Sequence, residues 1–226
     1  MVTKKVSIVL RPIMMIAEIK TRERIRHKAD ELFMRYGLRS VSMDDIANSL
    51  GISKKTIYQF FADKNELVDA VLEETLNYNS QNCDRNRSDS ANAVEEIFLS
   101  MDIAEQIFRN MHPSVIYDMQ KYHPQAFARF LKHKNDYLYN IISKNLQRGI
   151  KEELYRPEID IEILSRFRVE SMLMTFNPEF YLSQKHNLAE VEQQLIEHYL
   201  YGIASLKGHK LILKYQQDRI KKHQKK

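Results

Sequence analysis

Apolar residues recur at spacings of three and four along nearly the whole chain. From Ile19 to Tyr36, the residues Ile25, Ala29, Leu32, Phe33 and Tyr36 share one helical face between charged positions, which predicts an amphipathic helix. Gly37 stands where a C-terminal cap is expected. Ser42, with Asp45 three residues on, forms a capping box: hydroxyl and carboxylate reciprocally satisfy free amides at a helix start. The short helix it opens turns Ile46, Ala47 and Leu50 inward and stops at Gly51. Ser53 caps a third helix running through Phe60. Asp63 with Glu66 repeats the pattern and opens a fourth, apolar at Leu67, Val68, Val71, Leu72 and Leu76 and fading near Tyr78. Residues 79–90, rich in Asn, Ser and Asp, are expected to form a loop.

Helical spacing resumes at 94–111, and Pro113 opens a short segment to Tyr122. Pro124 opens a longer helix to Lys151, and 159–176 and 188–206 complete the set. With only five glycines and five prolines in 226 residues, long helices fit better than a turn-rich β protein. All five prolines can be placed at segment ends. The expected fold is all-α. It comprises an N-terminal extension (1–18), a three-helix domain with a helix-turn-helix (19–63), and a larger helical domain (64–226). The final Lys221-Lys222-His223-Gln224-Lys225-Lys226 reads as a solvated tail. No run is long enough to cross a bilayer, one cysteine excludes an internal disulfide, and the protein is expected to be cytoplasmic.

Charge adds an asymmetry. Residues 1–64 carry 13 Lys and Arg against 7 Asp and Glu, whereas the remainder carries 22 against 23. A basic N-terminal quarter on a near-neutral body points to an anionic partner at that end. Two short helices around Gly51 supply the means: Ile46, Ala47, Leu50, Ile52 and Ile57 form a wedge, and the second helix exposes Lys54, Lys55, Thr56, Tyr58 and Gln59. Lysines neutralise phosphate, hydroxyls donate to phosphate oxygens, and Lys or Gln reach base edges in the major groove.

The run Leu32-Phe33…Gly37…Ser42-Met43-Asp44-Asp45-Ile46-Ala47…Gly51-Ile52-Ser53-Lys54-Lys55-Thr56-Ile57-Tyr58-Gln59-Phe60-Phe61…Lys64…Glu66-Leu67 closely resembles the DNA-binding domain of the tetracycline-repressor (TetR) family. The resemblance implies phosphate contacts from Ser42, Thr56, Tyr58 and Lys64, and groove contacts from Lys54, Lys55 and Gln59. Phe60 departs from it, standing where the family often has Tyr or His. The resemblance further implies a sequence-specific regulator of double-stranded DNA, usually a repressor, dimerising through its last two long helices and released by a small molecule. The chain's own stripe on 188–206 marks Leu195, Tyr199, Gly202, Ile203 and Leu206 as a homodimer interface on a two-fold operator.

Methionines and aromatics on the central helices read either as ordinary core or, more sharply, as a pliable apolar pocket: Met101, Phe108, Met111, Tyr117, Phe127, Phe130, Tyr137, Met172 and Phe176. Eight histidines form no His-Glu-x-x-His pattern, and no two lie three or four apart on one helix, so no metal is expected. No nucleophile turn or Gly-rich phosphate loop marks an enzyme, and no cofactor is implied. A helical scaffold without DNA binding shares this composition but leaves Lys54-Lys55-Thr56 beside Tyr58 and Lys64 unaccounted for. An activator carrying the same DNA-binding module remains an alternative to a repressor.

Overall fold

The computed structural model describes residues 3–177 and 186–223, with side chains described from 18 to 177 and from 186 to 221. Pro178 and residues 224–226 of the basic tail lie outside them. The chain divides into two compact units, one of residues 1–75 and 114–127, the other of 76–113 and 128–226. The boundary expected at residue 64 therefore moves, and a segment from the middle of the sequence joins the first unit.

In the first unit, α1 (Thr3–Tyr36) ends at Gly37, whose amide donates to the Phe33 carbonyl (2.9 Å). The helix begins well before Ile19, so the expected extension is part of it and Pro12 falls inside it, not at an end. α2 (Met43–Leu50) and α3 (Lys54–Tyr58) follow, then α4 (Lys64–Asp89), which continues from this unit into the second. Ile25, Ala29 and Phe33 of α1 bury against a core that includes Ile46, Ala47, Ile57, Phe61, Leu67 and Val68. α6 (Val115–Tyr122) is tied to the same unit by two polar contacts. The Arg39 amide donates to Asp118 (3.0 Å), and Nδ1 of His123 lies 2.7 Å from Oδ1 of Asn65.

The loop expected at 79–90 is helix: α4 runs on to Asp89. Its polar residues are held from outside the helix. The Tyr137 hydroxyl donates to the Ser80 carbonyl (2.9 Å) and to Asp84 (3.0 Å), and Arg148 donates to the Ser90 carbonyl (2.9 Å). A cation placed at the free carbonyls of a helix end stabilises that end.

The second unit assembles α5 (Ala93–Arg109), most of α7 (Pro124–His133), a π-helical turn (Lys134–Leu138), α8 (Tyr139–Lys151), α9 (Ile161–Met174), α10 (Leu188–Ile203) and α11 (Leu206–His223). Ala93, Val94, Phe98 and Met101 of α5 pack with Leu146, Tyr155, Ile196, Leu200, Ile203 and Ile212. What the sequence suggested as one helix to Leu206 breaks at Ala204, where extended backbone pairs with Tyr155. The first half of the supposed tail, residues 221–223, is the end of α11, a helix docked on α5 further up: Arg219 lies 2.8 Å from Asp102 and 2.6 Å from Glu105, and Tyr215 accepts from Asn92 (2.9 Å). Gly208 lets the start of α11 approach the segment after α8, because a Cβ there would sit 2.1 Å from the Leu154 carbonyl oxygen.

Candidate nucleic-acid interface and effector cavity

The pair α2–α3 is organised by its caps. Ser42 accepts from the Asp45 amide (3.2 Å) while Asp45 accepts from the Ser42 amide (2.8 Å), completing the capping box. The Ser42 hydroxyl and then the Ser42 amide, both donating to it, with the nearby Lys64 charge, hold the Asp45 carboxyl below the usual carboxylate range. Gly51 ends α2 at φ 65°, a left-handed conformation that costs other residues a Cβ clash, and its amide reaches back to Ala47 and Asn48. Ser53 then accepts from the Thr56 amide (3.0 Å) and starts α3. Ile57 is fully buried beneath α3, which fixes which side chains the helix must expose.

Those exposed side chains are Lys54, Lys55, Tyr58 and Gln59. Lys54 pairs with Asp44 (2.7 Å), so its ammonium already has an acidic neighbour. The Ser42 hydroxyl donates to Asp45 (2.6 Å), and the Thr56 hydroxyl shares a bond with Ser53 (2.8 Å); both hydroxyls take part in capping. Lys64 is half-buried, donates to the Leu38 carbonyl and lies 5.8 Å from the Phe33 ring centroid. Burial pulls its pKa down, against the opposing charges of Asp118 and Asp45. Lys64 thus fastens the end of α1 to the start of α4, a structural role that its position in the sequence did not announce. Phe60 is half-buried.

The expected dimer residues separate. Tyr199 and Ile203 lie in the core of their own chain, which corrects their assignment as partner contacts: the wide stripe of α10 is consumed against α5 and its neighbours. Leu195 is half-buried, Gly202 is exposed with nothing near its missing Cβ, and Leu206 is 86% exposed. On α9, Ile163, Phe167 and Met174 are exposed at helical spacing, a face that sequence reading did not single out.

The expected pocket residues also separate. Met172 alone of the nine lines the cavity found in the second unit. Met101 is core, Tyr117 is half exposed, Tyr117 and Phe127 belong to the first unit, and Tyr137 is bonded to α4. Phe108 packs edge-on against Phe176 with centroids 5.5 Å apart; Met111 and Phe130 are half-buried away from the cavity wall. Helical spacing marks apolar faces, but it cannot say which face borders a void.

That cavity holds about 110 Å³. Its apolar wall is Ile97, Leu138, Ile141, Ile142, Met172 and Ile196; its polar residues are Cys83, Glu96, Ser100, Asn145, Arg168 and Tyr199. Arg168 and Glu192, both buried, meet at 2.6 Å, and Glu192 also accepts from Thr175 (2.7 Å). Glu96 meets Arg148 at 3.2 Å. Asn145 donates to the Ala93 carbonyl (3.0 Å) and accepts from Tyr155 (3.0 Å), while Ser100 donates to the Glu96 carbonyl (2.9 Å). Among the described residues, no group of His, Cys, Asp and Glu is placed to hold a metal, and no helix is long and apolar enough to cross a membrane.

A capped helix, a glycine turn and a second capped helix presenting lysines, tyrosine and glutamine, joined to a larger helical unit with a cavity, define a helix-turn-helix DNA-binding regulator. Residues 25–71 match the family described as "Bacterial regulatory proteins, tetR family". The chain is 29% identical over 142 residues to the HTH-type transcriptional repressor KstR2 of Mycobacterium tuberculosis, covering 62% of this chain and 71% of that one. It is 22% identical over 170 residues to the uncharacterized HTH-type transcriptional regulator YvaF of Bacillus subtilis, covering 74% and 87%. A transcriptional regulator from Cytophaga hutchinsonii has the same fold, with TM-score 0.64 at 21% identity over 81% of this chain and 98% of that one. Residues 25–71 are thus a DNA-binding domain of the TetR type, and over most of its length the chain is similar to DNA-binding transcriptional regulators.

Proposed function

We propose that the protein is a repressor that binds a pseudo-palindromic operator as a two-fold homodimer and leaves it when a small ligand occupies the cavity of the second unit. The observation that carries the DNA-reading part is α3 itself: Ile57 anchors one face while Lys55, Tyr58 and Gln59 stand free on the other. In this reading Lys55 and Gln59 read base edges, with Lys54 once it leaves Asp44. Tyr58, Ser42, Thr56 and Lys64 hold phosphates. Repression is favoured by the relative named as a repressor.

The dimer reading rests on α9 and the exposed end of α10. Ile163, Phe167 and Met174 make an apolar strip, and Gly202 leaves room for a close partner backbone. Two such helices per subunit would form a four-helix interface and set recognition helices about 34–36 Å apart, one turn of duplex. Release is supported by α4, whose Cys83 lines the cavity while its first residue is Lys64. A ligand acts only through its preference for one state, and a coupling of about 1–3 kcal/mol changes DNA affinity about 5–150-fold.

Selection of bound duplexes from a random pool, repeated with candidate metabolites, tests the whole reading. A two-fold symmetric consensus lost on adding a ligand is the expected result. Absence of any enriched sequence, or a monomer in sedimentation, would overturn it.

A further inference from the structure

The first unit carries a second group of cations outside α3. Arg39, in the turn between α1 and α2, lies 5.6 Å from the centroid of the Tyr122 ring, and Lys121 of α6 lies 5.5 Å from the same centroid. Lys121 is also 5.5 Å from the Tyr117 centroid and donates to the Tyr117 hydroxyl (3.2 Å). All four residues are exposed, Tyr117 by 49% and Tyr122 by 37%. Among the described residues no carboxylate pairs with either cation. Residues 35–42 and 114–127 hold a single acid, Asp118, which is buried and accepts from the Arg39 amide (3.0 Å) and the Ser114 hydroxyl (3.0 Å).

Two features separate this patch from an ordinary solvated surface. A ring face holds a cation in place without cancelling its charge, whereas a carboxylate offsets it, as Asp44 does for Lys54. Two like charges drawn to one ring with no exposed acid beside them repel each other, and an anion set against both relieves that repulsion. The patch also adjoins the expected phosphate contacts. Arg39 follows Leu38, whose carbonyl accepts from Lys64, and Ser42 comes three residues after Arg39. At the other end of α6, His123 follows Tyr122 and meets Asn65, the neighbour of Lys64, at 2.7 Å.

We propose that Arg39 and Lys121, positioned by Tyr122 and Tyr117, bind the phosphodiester backbone of duplex DNA beside the half-site that α3 reads. In this arrangement α6 extends the DNA contact beyond the helix-turn-helix. Each cation takes a phosphate oxygen, and the exposed tyrosine hydroxyls donate to the same backbone. Contacts of this kind fix register and add affinity without carrying sequence information. The inference rests on the reading of α3 as the DNA-recognising helix.

The test is fluorescence anisotropy of a labelled duplex of arbitrary sequence, about 30 base pairs long, titrated with the full chain at several salt concentrations. Arg39→Ala with Lys121→Ala should weaken binding about three- to tenfold at the lowest salt. The same variant should reduce the slope of log affinity against log salt by about two per bound subunit. Arg39→Lys with Lys121→Arg keeps both charges and should keep the slope within about half a unit. Base preference, read by competition between duplexes, should be the same in all three proteins. An undiminished slope in the alanine variant would overturn the proposal. So would an equal loss of slope in the charge-preserving variant, which would mark the pair as props for α6, or an altered base preference. Failure of the unmodified chain to bind any duplex would remove the α3 reading as well, whereas binding with an undiminished slope removes the patch alone.

Discussion

The helix-turn-helix and the cavity-bearing helices both rely on polar side chains, but they partner them at different distances along the chain. In α2 and α3 the partners are three residues apart: Ser42 with Asp45, Ser53 with Thr56. Around the cavity short-range bonds such as Ser100 to the Glu96 carbonyl are joined by partners 24 to 62 residues apart: Arg168 with Glu192, Arg148 with Glu96, Tyr155 with the Ala93 carbonyl. Short-range partners specify local backbone and leave the exposed face of a helix free for another molecule. Long-range partners lock helices to one another, and removing one strands its mate in a poorly solvated interior.

The largest effect should therefore come from the second set. Glu192→Ala leaves the Arg168 guanidinium buried and unpaired, and should lower folding stability by about 3–5 kcal/mol in urea unfolding. The paired replacement Arg168→Met with Glu192→Leu should recover most of that loss; a double variant as unstable as the single one would refute the stranded-charge account. In the DNA module, Lys55→Ala or Gln59→Ala should leave stability within about 0.5 kcal/mol while changing base preference by about 1–3 kcal/mol per lost contact, read from competition between duplexes. Lys64→Ala should instead reduce both the thermal midpoint and the salt slope, since that lysine also holds the Leu38 carbonyl. Ser42→Ala removes the cap of α2 and should cost about 1 kcal/mol, with DNA affinity falling at least in proportion.

The smallest effect is one of pH. Burial first, and then the Lys64 ammonium, hold the His123 imidazole below its ordinary 6.5, although Asp69, Asp118 and Asp63 pull the other way. With the folded value depressed, the unfolded chain takes up the proton first as pH falls. The stability from neutral His123 is full above about pH 6.5 and is lost progressively below it. The melting temperature should fall on acidification through that window, and His123→Asn should flatten the dependence. Equal slopes in the two proteins would show that other groups carry it.

The same contrast governs how much could be read from sequence. Caps, the Gly51 turn and the buried positions Ile46, Ala47 and Ile57 were legible because each depends on neighbours within one helical turn. The helical state of residues 79–89 was hidden, since it is secured by Tyr137 and Arg148, and polar composition alone reads as a loop. The cavity residues were hidden for a related reason. Met101 and Met172 look alike in periodicity, yet one fills the core and the other borders the void. Tyr199 and Ile203 showed a stripe wider than one neighbour needs, and that stripe proved to serve several neighbours in the same chain.

Cys83 gives the cavity a built-in stopwatch. It is the sole cysteine, it stands on the wall contributed by α4, and burial pushes its thiol up to about 11. At neutral pH roughly one such thiol in ten thousand is ionised, and only the thiolate attacks an alkylating reagent. Labelling of this half-buried thiol must therefore be slow, and it will quicken when that part of α4 parts from its neighbours and the thiol regains water. A single mass measurement, taken over time, reads the breathing of this helix without any added probe group.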